Sequence, residues 1–108
     1  MREGKITEAE KILQAHYQNP RSIDWRIAAN LGRIQESRRA ISSALEYYQS
    51  AAAQVRDKPS AAQVQMRLSR CLEALGRSDE SRRALEQARE LDPGNINIRR
   101  EYARVFSR

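Results

Sequence analysis

Few side chains in this sequence carry reactive chemistry, and those that do stand alone. His16 is the sole histidine and Cys71 the sole cysteine. A metal site or an acid-base pair at His16 would need a second histidine, a cysteine pair or a carboxylate cluster at ligand spacing, and none accompanies it. A nucleophilic thiol at Cys71 would need a base, whereas its place between Leu68 and Leu72 marks it as a small core residue. One cysteine also excludes an internal disulfide and leaves the redox compartment open. Ser42 and Ser43 fall on the outer face of a helix with no base nearby. With no Gly-rich phosphate loop and no paired His and Glu at helical spacing, the expectation is a chain without catalysis, cofactor or metal.

The abundant chemistry is that of arginine. Net charge is +6, and Lys5, Lys11 and Lys58 are the only lysines. Guanidinium keeps its charge and forks onto carboxylates, phosphates and sulfates, so an acidic protein segment or an anionic polymer is the expected class of partner. The competing reading is a solvated, arginine-rich surface. Tyr47 and Tyr48 are able to stack on a base or sugar, but aromatics at helical spacing usually pack.

Helices must position these groups. A chain of 108 residues, 40% hydrophobic, suits one domain with a single core. Aromatics are 6%, there are 4 Gly and 3 Pro, and Ala, Arg, Glu, Gln and Leu predominate, which gives an all-α class. No stretch has the length of a membrane span, and Met1 to Gly4 lead into a helical pattern without an apolar signal region. The compartment, cytoplasmic or periplasmic, is unassigned, since an export signal would lie upstream if the chain is an excised piece.

Taken in order, Ile6, Ala9, Ile12 or Leu13, and His16 or Tyr17 mark a first helix over 5–18, with Thr7 and Glu10 as a capping box and Asn19-Pro20 as its stop. Ser22 is a candidate N-cap for a helix carrying Trp25, Ile27, Ala28, Leu31 and Ile34. Two internal matches place the following reversal differently. A shift of 44 lays Leu31-Gly32-Arg33 onto Leu75-Gly76-Arg77; a shift of 37 lays Leu31, Ala44, Tyr48 and Ala51 onto Leu68, Ser81, Leu85 and Ala88. The second is favoured because it yields two helices of matched length, Ser22 to about Arg38 and about Ala40 to Arg56, which puts Gly32 inside a helix. A turn at Gly32, or one helix bent there, is the alternative. Ser60 is read as the cap of a helix through Val64, Met66, Leu68, Leu72 and Leu75. Gly76 then breaks the run, Asp79 caps the next helix with Ala84, Leu85, Ala88 and Leu91, and Pro93-Gly94 stop it. A last helix runs from about Asn97 to Ser107.

The stretch Leu68 to Pro93 resembles the tetratricopeptide repeat family. Leu68 and Ser69 stand for its large and small first-helix pair, Gly76 for its turn, Ser81, Leu85 and Ala88 for its second-helix packing positions and Pro93 for its closing proline. Tyr102, Ala103 and Phe106 repeat Leu68, Ser69 and Leu72 at an offset of 34, the family's period. Gln35 and Arg39 depart from the pattern, standing where a large apolar residue and a glycine are usual. The resemblance implies a right-handed α-solenoid of about six helices. It implies one domain over 1–108, made of a partial repeat (5–18), repeats at 22–56 and 60–93, and a partial repeat or capping helix (96–108). Half-repeats at both ends suggest a fragment of a longer array, with self-association through exposed end helices as one outcome.

Function also follows from the resemblance. First helices in this family line a concave groove, and the place two residues after the large core residue points into it. Here that place holds Arg33, Arg70 and Arg104, with Arg26, Asn30, Met66, Arg67, Asn97 and Arg100 as neighbours. A protein-binding scaffold is therefore implied, its arginines orienting an acidic partner segment. Arrays of this kind also occur in exopolysaccharide export and secretion assemblies. The runner-up is direct binding of an acidic polysaccharide or nucleic acid, which the charge permits but which lacks interleaved aromatic platforms. The competing reading of the arginines is pairing with Glu36, Glu73 and Glu101 across adjacent helices.

Overall fold

The computed structural model describes residues 3–17 and 24–107, apart from the side chains of 3–5 and 16. Among these residues six helices follow one another: α1 (Glu3–Tyr17), α2 (Trp25–Ser37), α3 (Ile41–Gln54), α4 (Lys58–Ala74), α5 (Ser78–Leu91) and α6 (Ile96–Phe106). They fall into two compact units, Met1–Gln54 and Val55–Arg108. Each unit is built around one antiparallel hairpin, α2 with α3 and α4 with α5, and each carries a further helix packed on that hairpin.

Each hairpin reverses through the same hydrogen-bond pattern. After α4, the Gly76 amide donates to Glu73 O (3.0 Å) and the Arg77 amide to Leu72 O (2.8 Å), with Gly76 at φ 77°. After α2, Arg39 donates to Glu36 O (3.0 Å) and Ala40 to Gln35 O (2.9 Å), with Arg39 at φ 65°. This is a Schellman closure, which needs one left-handed residue after the cap. The reversal at Arg39 therefore occurs where the matched helix lengths put it, and Gly32 lies inside α2.

Several expected helix starts are corrected. Asp57, not Ser60, caps α4: its carboxylate accepts from the Ser60 amide at 3.0 Å, and Ser60 lies in the first turn. Asp24 caps α2, accepting from the Arg26 amide at 3.0 Å. Ser22, the expected cap, and the Asn19-Pro20 stop lie outside the described residues. Arg77 occupies the N-cap position of α5 without a side-chain cap bond, and Asp79 falls in the first turn, where its charge complements the helix dipole. Thr7 and Glu10 form no capping box because α1 begins at Glu3. Glu10 instead accepts from Arg38 and from Gln35, each at 2.5 Å, fastening α1 to α2. Gln35 thus replaces an apolar contact by a polar one.

Small residues let the hairpin helices approach closely. In the first unit, Gly32 faces the ring of Tyr48, which is fully buried and whose hydroxyl donates to Glu36. In the second unit Ser69, the counterpart of Gly32, crosses Ser81, the counterpart of Ala44, both buried, with their oxygens 3.0 Å apart. Leu31, Ala44, Leu45 and Ala51 complete the first core, and Leu68, Cys71, Leu72, Ala84 and Leu85 the second. Leu75, expected to close the apolar stripe of α4, is its C-cap and is 38% exposed. The last helix is seated by Ile98, which packs with Ala62 and Ala88 and is flanked by Met66 and Leu91.

Candidate functional site

The arginine-bearing faces follow from the way each first helix is seated. Because α2 buries Ala28, Ala29, Leu31 and Gly32, the residues at Arg26, Asn30 and Arg33, spaced four and three apart, share its exposed face. By the same logic α4 exposes Arg70 and half-buries Met66 and Arg67, while α6 exposes Asn97, Arg100 and Arg104.

Their electrostatic states differ. Arg26 forks onto Asp24, with Nε to Oδ1 at 3.0 Å and Nη2 to Oδ2 at 2.9 Å; this bond holds the Asp24 carboxyl below its ordinary range. Arg104 donates to Glu101 and, at 3.0 Å, to Glu73 of α4, and these carboxylates push its pKa further up. For Arg104 the cross-helix pairing is therefore real. Arg33, Arg70 and Arg100 have no acidic partner among the described residues. Glu36 accepts from Tyr48 rather than standing against Arg33.

A cleft of about 430 Å³ opens beside Arg33, between α1 and α2. Ile6, Ala9 and Leu13 form one wall, and Asn30, Arg33, Ile34 and Ser37 the other. The spacing on each wall is helical, so the cleft follows two turns of helix, roughly 10 Å. Among the described residues no acidic side chain lines it. Its existence depends on the docking of α1 on α2, which sequence periodicity does not report; only the shared stripe of Ile6, Ala9 and Leu13 hinted at an apolar wall. In the second unit a hollow of about 370 Å³ is lined by Glu86, Arg89, Glu90, Pro93 and Tyr102.

Sequence reasoning also missed the role of two second-helix arginines. Arg89 lies 4.3 Å from the centre of the Tyr102 ring, and Arg82 lies 5.6 Å from that of Phe106. The two rings stack on each other with centroids 4.2 Å apart. These cation–π contacts cover aromatic faces that apolar neighbours would otherwise have to shield. Tyr47 packs edge-on against Tyr17 at 5.3 Å and accepts from Gln14, and Cys71 is buried in the core, so all three expected packing residues, Tyr47, Tyr48 and Cys71, are structural.

Successive antiparallel helix pairs, closed by one turn motif and crossing at small residues, define a helical-repeat protein of the interaction-module class. The tetratricopeptide repeat model matches residues 37–105, and the chain belongs to that family. Members generally bind other proteins and typically are not catalysts. No curated protein matches the chain. Among the described residues no helix is long and apolar enough to cross a membrane, and no three His, Cys, Asp or Glu side chains group to hold a metal ion.

Proposed function

We propose that this chain is a non-catalytic scaffold that holds an acidic segment of another protein against the arginine-bearing faces of its first helices. Each unit carries such a face by itself: Arg26, Asn30 and Arg33 on α2, and Met66, Arg67 and Arg70 on α4 with Asn97, Arg100 and Arg104 on α6. One observation supports the reading most. Arg33, Arg70 and Arg100 are exposed and have no acidic partner among the described residues, although the chain has 14 acidic residues. An unpaired guanidinium on a rigid helix is pre-organised for a carboxylate, whereas the paired Arg104 is a positioning element that ties α6 to α4.

The test compares two triple variants of equal charge. Arg33, Arg70 and Arg100 changed to Gln should weaken binding of an acidic peptide about tenfold or more, roughly 1.4 kcal/mol. Arg56, Arg83 and Arg99 changed to Gln should weaken it little; Arg82 and Arg89 are unsuitable controls because they cover Phe106 and Tyr102. Equal losses in both variants, with a steep log-linear salt dependence for heparin, would instead assign the surface to anionic polymers.

A further inference from the structure

We infer that the cleft between α1 and α2 is an anchoring pocket that seats the aliphatic side chains of an acidic amphipathic helix, with Arg33 receiving a carboxylate at its rim. The inference rests on the protein-binding reading above and names where and what the chain grips. Three features of the cleft carry it.

The first is shape and lining. The described residues of one wall are all apolar, Ile6, Ala9 and Leu13 spaced three and four apart, so it presents a stripe matched to side chains of the same spacing on a helix laid along it. The second is capacity. An engineered apolar cavity of about 150 Å³ admits benzene. A cleft of about 430 Å³ therefore has room for two or three side chains of leucine or phenylalanine size.

The third is charge. The opposite wall brings Arg33, exposed and without an acidic partner among the described residues, beside Asn30. The nearby carboxylate of Glu10 is already engaged by Arg38 and Gln35. Ser37 has its hydroxyl committed to Ile34 O at 2.7 Å, so the cation is the dominant polar feature of the rim. A carboxylate on the occupant is thus matched and a cation is opposed, which argues against a second copy of this chain docking through α6. That helix would bring Arg99 and Arg100, both exposed, toward Arg33.

The experiment uses the full chain and three synthetic helical peptides: one with Leu at i, i+3 and i+7 and Glu on its flanks, one with the Leu residues replaced by Ser, and one with the Glu residues replaced by Lys. Fluorescence anisotropy should show the first binding at least tenfold tighter than either other. Ala9 is exposed, so Ala9→Phe should fill the cleft while leaving the thermal midpoint unchanged, and should cost tenfold or more in affinity for the first peptide. Arg33→Glu should exchange the preference between the Glu and Lys peptides. Amide shifts on titration should be largest in α1 and α2.

If Ala9→Phe leaves binding intact while the triple variant at Arg33, Arg70 and Arg100 abolishes it, the scaffold reading stands and the anchoring pocket falls. If no peptide binds, both fall. Concentration-dependent self-association in the ultracentrifuge that Ala9→Phe abolishes would overturn the proposal by giving the cleft to a second copy.

Discussion

Gly32 presents its bare Cα to the flat side of Tyr48, so that a methyl group built there would stand 2.7 Å from one ring carbon and 2.9 Å from two more. The ring has nowhere to retreat, because Tyr48 is fully buried and its hydroxyl is held by Glu36. Helix propensity alone predicts that alanine at this mid-helix position is neutral or stabilising, by up to about 1 kcal/mol. Close packing reverses the sign: Gly32→Ala should cost about 1–2 kcal/mol net in denaturant unfolding. Tyr48→Leu in the same chain should recover part of that loss, and additive losses would show that the two sites do not press on each other.

The two hairpin turns should respond oppositely to glycine exchange. Arg39 occupies a left-handed conformation that costs an ordinary residue about 1–2 kcal/mol, so Arg39→Gly should raise stability by about 0.5–1 kcal/mol after the unfolded-state entropy of glycine is set against it. At Gly76 there is open space around the Cα, yet φ is 77°, so Gly76→Val should lose more than about 1 kcal/mol through backbone strain alone. Thermal midpoints of the pair read both signs directly.

Ser69 and Ser81 should be unequal partners. Ser81 donates its single hydroxyl proton to Ser69 O at 2.8 Å, which leaves Ser69 as the donor in the 3.0 Å contact between the two hydroxyls. Ser81→Ala removes both bonds and strands the buried Ser69 hydroxyl, at a cost of about 1–3 kcal/mol. Ser69→Ala removes only one bond and should cost about 1 kcal/mol or less. Chemical denaturation of the two single variants and the double variant would sink this directionality if their order were reversed.

Acid should loosen the helix starts. The Asp57 carboxyl is held below its usual range by its bond to Ser60, and that of Asp24 by its bond to Arg26. A depressed folded pKa means that the contribution is complete above the unfolded value, about 3.9, and fades as pH falls through the folded one. Asp24→Asn with Asp57→Asn, which keeps the cap oxygens, should therefore flatten the thermal midpoint against pH below about 4. An unchanged acid limb would assign that limb to other carboxylates.

The hairpin from Leu68 to Leu91 was legible because its apolar stripe, its left-handed glycine and its closing proline all agree. Helix starts were less so. Asp57 and Ser60, or Arg77 and Asp79, lie within three residues of each other, and only the backbone decides which one stands at the N-cap. At the candidate site, exposure of Arg33, Arg70 and Arg104 follows from repeat position. The pairing of Arg104 with Glu73, present in the sequence only as a competing reading, and the cleft beside Arg33 depend on how neighbouring helices are rotated and spaced, which no single helix encodes.

The sole tryptophan and the sole cysteine fall in different units, which gives the molecule one native reporter for each. Trp25 sits half-buried at the first residue of α2, so its emission follows melting of the first unit. Cys71 is 1% exposed beneath the second hairpin, and its thiol becomes available to an alkylating reagent only when that hairpin opens. Fluorescence and labelling rate, followed in one sample without any engineered probe, therefore give two separate opening free energies whose ratio measures how far the halves of the chain behave as one cooperative body.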